Sequence, residues 1–199
     1  MTASEHAHND AAARTVGVAV AVPEPFGGYL RQCRASFGDP EAERIPPHIT
    51  LLPPTDVAHS CHDAVVAHLD QVAATSRAFT VHLRGTASFR PVSPVVFVQL
   101  VAGIAECERL ETAVRSGPLA RDLAFHYHPH VTVAHHLSDD RLDLAAESLE
   151  GFDEAFEVTE FLLYEHGTDG VWRPERSFAF GLPPVAAPVT SARYPTRQG

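Results

Sequence analysis

The chain has 199 residues, 45% of them hydrophobic, long enough for one domain with a substantial core. A formal net charge of −10 and the complete lack of lysine exclude an extended nucleic-acid surface, which needs clustered cations to neutralise many phosphates. The three cysteines, Cys33, Cys61 and Cys107, are far apart and odd in number, which excludes a disulfide scaffold or a zinc ribbon and fits a reducing cytoplasm.

No apolar run reaches the roughly 20 residues of a bilayer span, and residues 1–14 lack the apolar centre of a secretory signal. A soluble, cytoplasmic monomer is expected. Residues 1–14 read as a disordered lead-in, 15–181 as one folded domain, and the Pro- and Ala-rich stretch 182–199 as a tail. The Val-rich run from Thr15 predicts a buried strand. Residues 23–25 start a helix that runs to about Phe37 and stops at Gly38-Asp39-Pro40. A strand from His48 is expected to end at Pro53-Pro54, and Thr55 or Asp56 to cap the next helix, where Val65, Leu69 and Val72 recur at helical spacing. Strands follow over 79–89 and 95–101, then a helix over 103–116 stopped by Gly117-Pro118. A second strand around His130 precedes a helix over 139–150, capped by Ser138. Residues 156–165 and 171–180, separated by Gly167-Thr168-Asp169-Gly170, form a closing hairpin.

Two segments stand out. His48-Ile49-Thr50-Leu51 and His130-Val131-Thr132-Val133 are each preceded by proline and lie 82 residues apart. On a strand, residues two apart share a face, so each segment presents one imidazole and one hydroxyl together. Both also sit in the same order of strand, helix, motif strand, helix and strand, a weak internal duplication. The layout predicts an α+β, bilobal, duplicated fold: two mainly antiparallel sheets with outer helices around a central cleft. Two histidines can hold opposite protonation states near neutrality and so act as acid and base, while two hydroxyls can steady charged oxygens. Such a set, placed across a phosphorus centre, needs no metal and no cofactor.

The paired motifs closely resemble the H-x-[ST]-x signatures of the 2H phosphoesterase superfamily, and specifically its branch of 2′-5′ RNA ligases and RNA 2′,3′-cyclic phosphodiesterases. The resemblance covers residues 15–181. It implies a two-lobed fold with a central cleft and hydrolysis of a cyclic phosphodiester, or a related 2′-linked nucleotide, to a 2′-phosphate. It further implies that His48 is the acid to the leaving 3′-oxygen, His130 the base for water, and Thr50 and Thr132 the phosphate-binding residues. Leu52-Pro53-Pro54 and Ala134-His135-His136 depart from the aromatic-Leu-Gly and basic continuations common in the family, which touches the substrate more than the chemistry.

Other residues have two readings. Tyr127, Phe89 and Trp172 are candidates for stacking on a base, or they are packing residues; Arg90 is a candidate phosphate contact from a loop. His126, His128, His135 and His136 suggest a metal cluster, but Pro129 interrupts the alternation that would align them, and no carboxylate or cysteine stands at ligand spacing, so they read as surroundings. The expected partner is a small nucleotide or RNA terminus. A non-catalytic nucleotide or RNA-end binding module would share the cleft and differ only in turnover.

Overall fold

Residues 13–182 are described by a computed structural model; the expected lead-in before residue 13 and tail after residue 182 lie outside the described residues. Eight strands and four helices are found along this stretch. They are β1 (Ala13–Ala21), α1 (Phe26–Ser36), β2 (His48–Ala58), α2 (His62–Thr75), β3 (Phe79–Ser88), β4 (Val95–Ala102), α3 (Ile104–Val114), β5 (His130–His135), α4 (Asp139–Ser148), β6 (Asp153–Val158), β7 (Glu160–His166) and β8 (Trp172–Ala179), with short 3-10 turns at Pro40–Glu43, His59–Cys61 and Gly117–Leu119. The expected α+β class is observed. None of these helices is long and apolar enough to cross a membrane.

All eight strands form one curled antiparallel sheet in the order β6-β3-β4-β5-β2-β1-β7-β8. Two separate sheets were expected; instead the motif strands β2 and β5 pair with each other and join the halves. That seam is narrow, with the single registered pair Ile49↔Val131. The second half is inserted within the first. After α2 the chain crosses the seam and builds β3 to β6 as one continuous stretch, and β7 and β8 then return to β1, so only the half that holds β1 and β2 is interrupted in sequence.

One face of the sheet carries Val16, Val18, Val20, Ile49, Leu51, Val81, Leu83, Val96, Val98, Val131, Val133, Phe161 and Leu163. These share a single core with Leu30 of α1, Val65 and Leu69 of α2, Cys107 and Leu110 of α3, and Leu142 and Ala145 of α4. Burying each large aliphatic side chain contributes about 1.5–3 kcal/mol, so this face fixes the register and turns the alternate residues to the other side. The helix-free face therefore receives His48, Thr50, His130 and Thr132.

Four expected boundaries moved, each for a local reason. β1 begins at Ala13, inside the expected lead-in, because Arg14 bonds Glu165 on β7 through two nitrogens, at 3.0 and 2.7 Å. β2 does not stop at Pro53-Pro54. Its partners on β1 jump from Val18↔Leu52 to Val16↔Thr55, so the two prolines occupy a bulge where no backbone N–H is needed. Thr55 and Asp56 are consequently strand residues, and α2 starts only at His62. The expected strand 156–165 is two strands, β6 paired with β3 and β7 paired with β1, broken at Thr159 where the chain passes from one half to the other.

α1 closes at Gly38, whose φ of 86° suits a glycine, and the chain then enters a buried ion pair. Asp39 accepts from Arg34 Nε at 2.7 Å and from Glu41 N at 2.9 Å, and both charged residues are 4% exposed. Removing one member strands the other charge. Asp39→Ala is expected to lower unfolding free energy by about 3–5 kcal/mol, with much of the loss recovered in Arg34→Met/Asp39→Ala, as measured by urea denaturation.

Candidate active site

The pair Ile49↔Val131 sets the geometry of the four motif residues. Antiparallel register carries Thr50 opposite His130 and His48 opposite Thr132, with all four on the face away from the helices. Each imidazole thus lies across from a hydroxyl, and the two imidazoles lie on the diagonal, where backbone positions are about 7–8 Å apart. A tetrahedral group fits between them. Neither threonine hydroxyl bonds another described residue, so both are available to a ligand.

The two histidines are held alike. His48 Nδ1 donates to the Pro46 carbonyl at 2.7 Å, and His130 Nδ1 donates to the His128 carbonyl at 2.7 Å. In each case the intervening proline, Pro47 or Pro129, is buried and its fixed φ keeps the preceding carbonyl under the ring. A carbonyl can only accept, so Nδ1 carries the hydrogen and Nε2 is the nitrogen left for proton transfer.

Burial sets their protonation. It pushes His48 down to about 4, against the favourable Pro46 carbonyl and reinforced by the Arg34 guanidinium and the His130 ring. His130 is lowered too, first by burial and then by the neighbouring His128 ring, while the His128 carbonyl works the other way. Both imidazoles are neutral at pH 7 in the free protein.

Beyond the tetrad the two halves differ. On the second-motif side, Phe89 and Phe97 stand against His130 with ring centroids 5.0 and 5.1 Å away. On the first-motif side there is a cavity of about 90 Å³ lined by Gly17, Val18, Ala19, Ile45, His48, Thr50, Pro54, Tyr164 and Trp172.

The sequence profile of the 2′-5′ RNA ligase superfamily matches residues 22–170, a span that contains both motifs. The chain belongs to the 2′-5′ RNA ligase superfamily. Among relatives of this superfamily member, a Bacillus licheniformis protein with a provisional phosphoesterase name is 30% identical over 145 residues, covering 72% of this chain and 85% of its own. A similarly named Bacillus thuringiensis protein is 27% identical over the same length, covering 72% of this chain and 84% of its own. Escherichia coli LigT in apo form superposes with a TM-score of 0.67 at 22% identity, over 85% of this chain and 99% of LigT; LigT has also been solved with 3′-AMP, NADP+ and phosphate. TT0787 of Thermus thermophilus gives 0.60 at 20% identity, over 84% of this chain and 98% of its own. At these identities the structural likenesses establish the fold.

The remaining candidates of this family member fall into place around the tetrad. Tyr127 is partly buried against the core, and its hydroxyl donates to the Thr50 carbonyl at 2.9 Å. Burial pushes that hydroxyl far above its usual range, so it stays protonated. This makes it a strut across the narrow seam. Arg121 makes a second crossing, donating to the Pro54 carbonyl at 3.1 Å and to the Thr55 hydroxyl. Tyr127→Phe is expected to cost about 1 kcal/mol of stability in a urea titration and to lower kcat with KM little changed, whereas a base-stacking tyrosine would show its loss in KM. Arg90 points to α4, where Asp143 accepts at 2.6 Å and Asp139 at 3.5 Å. His126 and His128 are exposed, and the His135 and His136 rings lie 3.8 Å apart. Among the described residues no three His, Cys, Asp or Glu side chains gather as a metal cluster.

Sequence reasoning missed Arg34, Arg121, Gly17, Ala19 and Tyr164. None carries a local pattern that marks it; each acquires its place from the sheet order.

Proposed function

We propose that this chain is a phosphodiesterase that opens a 2′,3′-cyclic phosphate at an RNA end or on a nucleotide, giving a 2′-phosphate. The observation that carries this reading is the diagonal pair of imidazoles, both offering Nε2 across the β2–β5 seam, with a threonine hydroxyl opposite each. His130 takes a proton from water as its oxygen attacks phosphorus, and His48 gives a proton to the 3′-oxygen as the P–O3′ bond breaks. Thr50 and Thr132 donate to the non-bridging oxygens, where charge builds up. His48 acquires its proton with the substrate, whose anionic phosphate offsets the burial that keeps the imidazole neutral in the free protein. Joining of 2′-5′ ends is the same displacement with the 5′-hydroxyl of a second strand attacking phosphorus in place of water.

Support comes from the superfamily itself and from the LigT fold, which accommodates 3′-AMP and phosphate in that protein. The net charge of −10 favours short substrates, and a monomer suffices because one chain supplies all four groups. The test is turnover of nucleoside 2′,3′-cyclic monophosphates with excess chelator present. Formation of the 2′-monophosphate at an undiminished rate is expected; a 3′-monophosphate product, or activity that returns only on adding metal, would contradict the reading.

A further inference from the structure

The row of residues that crosses the sheet at His130 continues beyond the tetrad. His130 on β5 is paired with Gln99 on β4. On β3 the partners step from Leu83↔Leu100 to Thr86↔Val98, so Arg84 and Gly85 together stand opposite Gln99 in a β-bulge, with Gly85 at a φ of 65°. Leu83 is buried in the core and Thr86 donates to the Ala146 carbonyl of α4 at 2.9 Å, so both point toward the helices. Arg84 therefore joins Gln99 and His130 on the helix-free face. In an unbroken strand Arg84 and Thr86 would share a face, and the bulge is what separates them.

Neither polar side chain in this row beside His130 is engaged. The Arg84 side chain is exposed and makes no hydrogen bond or ion pair with another described residue, and the same holds for the half-buried Gln99 side chain. The Gln99 amide nitrogen lies 3.7 Å from the position that a Cβ on Gly85 would take, so the amide is turned toward β3. Arginines elsewhere are tied down; Arg34, Arg90 and Arg176 each bond an aspartate. Arg31 and Arg141, also without a partner among the described residues, belong to α1 and α4 on the opposite layer. The carboxylate placed to pair with Arg84 is that of Asp153, its neighbour on β6, but Asp153 bonds His82 Nε2 instead. The cation next to the tetrad is thereby left open to an anion.

Neighbouring strands are about 4.8 Å apart, so Arg84 stands about 10 Å from His130 along the row. An extended arginine side chain closes much of that gap and brings its guanidinium within one nucleotide of a phosphorus held between the histidines. We propose that Arg84, assisted by the Gln99 amide, binds a second phosphate group, the one on the 5′-oxygen of the nucleoside that carries the cyclic phosphate. The 2′- and 3′-oxygens are already joined to the reacting phosphorus, so the 5′-oxygen is the place on that nucleoside for another. The proposal rests on the phosphoesterase reading and gives it a substrate class: a 5′-phosphorylated end, whether monoester or chain phosphodiester, in preference to a bare nucleoside 2′,3′-cyclic phosphate. The planar guanidinium takes two phosphate oxygens at once, and the Gln99 N–H supplies a further donor. One unpaired arginine accounts for one added phosphate, in keeping with a net charge of −10 that excludes a longer tract. Arg84 is then a specificity-determining residue.

Hydrolysis of adenosine 2′,3′-cyclic phosphate, of its 5′-phosphorylated form and of a diadenosine ending in a 2′,3′-cyclic phosphate should be compared in the full chain, with binding of adenosine 2′-monophosphate and adenosine 2′,5′-bisphosphate followed by calorimetry. kcat/KM is expected to be about 10- to 100-fold higher with a second phosphate present, mainly through KM. A gain with the 5′-phosphorylated nucleotide alone assigns the place to a terminal monoester, and a gain with the dinucleotide assigns it to a chain phosphodiester; both uphold the contact. Arg84→Met should bring the three substrates within about threefold of one another, Arg84→Lys should keep part of the preference, and Gln99→Leu should reduce it by about 3- to 10-fold. The proposal is overturned if the unaltered chain does not distinguish the substrates, or if Arg84→Met slows all of them by the same factor. Equal turnover of all three would remove the contact and leave the phosphoesterase reading standing; an Arg84-dependent preference for the bisphosphate without turnover of any substrate would do the reverse.

Discussion

Alanine at His48 or at His130 is expected to reduce kcat on a 2′,3′-cyclic phosphate by about 10²–10⁴-fold, the amount general acid–base transfer ordinarily contributes. The two histidines serve one displacement, one on each side of phosphorus. Losing either leaves a step whose proton must come from or go to water, so the double variant should be little slower than the worse single variant. KM should change less than kcat, because Thr50, Thr132 and the remaining imidazole still hold the phosphate. Glutamine at either position separates transfer from positioning: it can donate near the Nε2 position but cannot exchange a proton, so it should be as slow as alanine. Near-normal turnover in any of these variants would remove that histidine from the mechanism.

The second large effect is on pH. Burial lowers both imidazoles below 6.5, His48 to about 4, so the form with one of them protonated is populated in the free protein only on the acid side of 6.5. kcat/KM should therefore peak below pH 6.5 and fall by about tenfold per unit above it, in rates measured from pH 4.5 to 8.5. An optimum at pH 7.5 or higher would mean that at least one imidazole is not desolvated as described. Stability should move in the opposite direction. His48 in the fold binds its proton less readily than in the unfolded chain, so its contribution is complete above pH 6.5 and is lost as pH falls toward about 4, by at most about 3 kcal/mol. His48→Gln should flatten that part of a urea-midpoint profile. The protein is expected to be most active in the range where it is losing stability.

The core was legible because its signals are short-range. Val16, Val18 and Val20 alternate on β1, and Val65, Leu69 and Val72 follow the helical period on α2; all are buried as those periods require. The misplaced boundaries share a different cause. Pro53 and Pro54 stop an ordinary strand, but a bulge against Gly17 accommodates them, and nothing within β2 announces a bulge that its partner strand completes. Thr159 likewise looks like the middle of a strand until its flanks are seen to pair with opposite halves of the sheet. Arg90 and Tyr127 were visible as side chains with suitable chemistry; their direction was not, because Asp143 and the Thr50 carbonyl that engage them are 53 and 77 residues away.

The sequence by itself determined the content of the candidate site. His48, Thr50, His130 and Thr132 are marked by a repeated local pattern, and the alternation of a strand decides that each His shares a face with its Thr. The prolines before the histidines belong to the same pattern, since the carbonyl that orients each ring is two residues upstream. Only the tertiary structure decided that the two patterns face each other across one antiparallel pair, that burial leaves both imidazoles neutral, and that one side is filled by Phe97 while the other is opened by Ala19. The physical reason is distance along the chain. Register, burial and voids are properties of surfaces brought together from far apart, and they depend on which strands become neighbours.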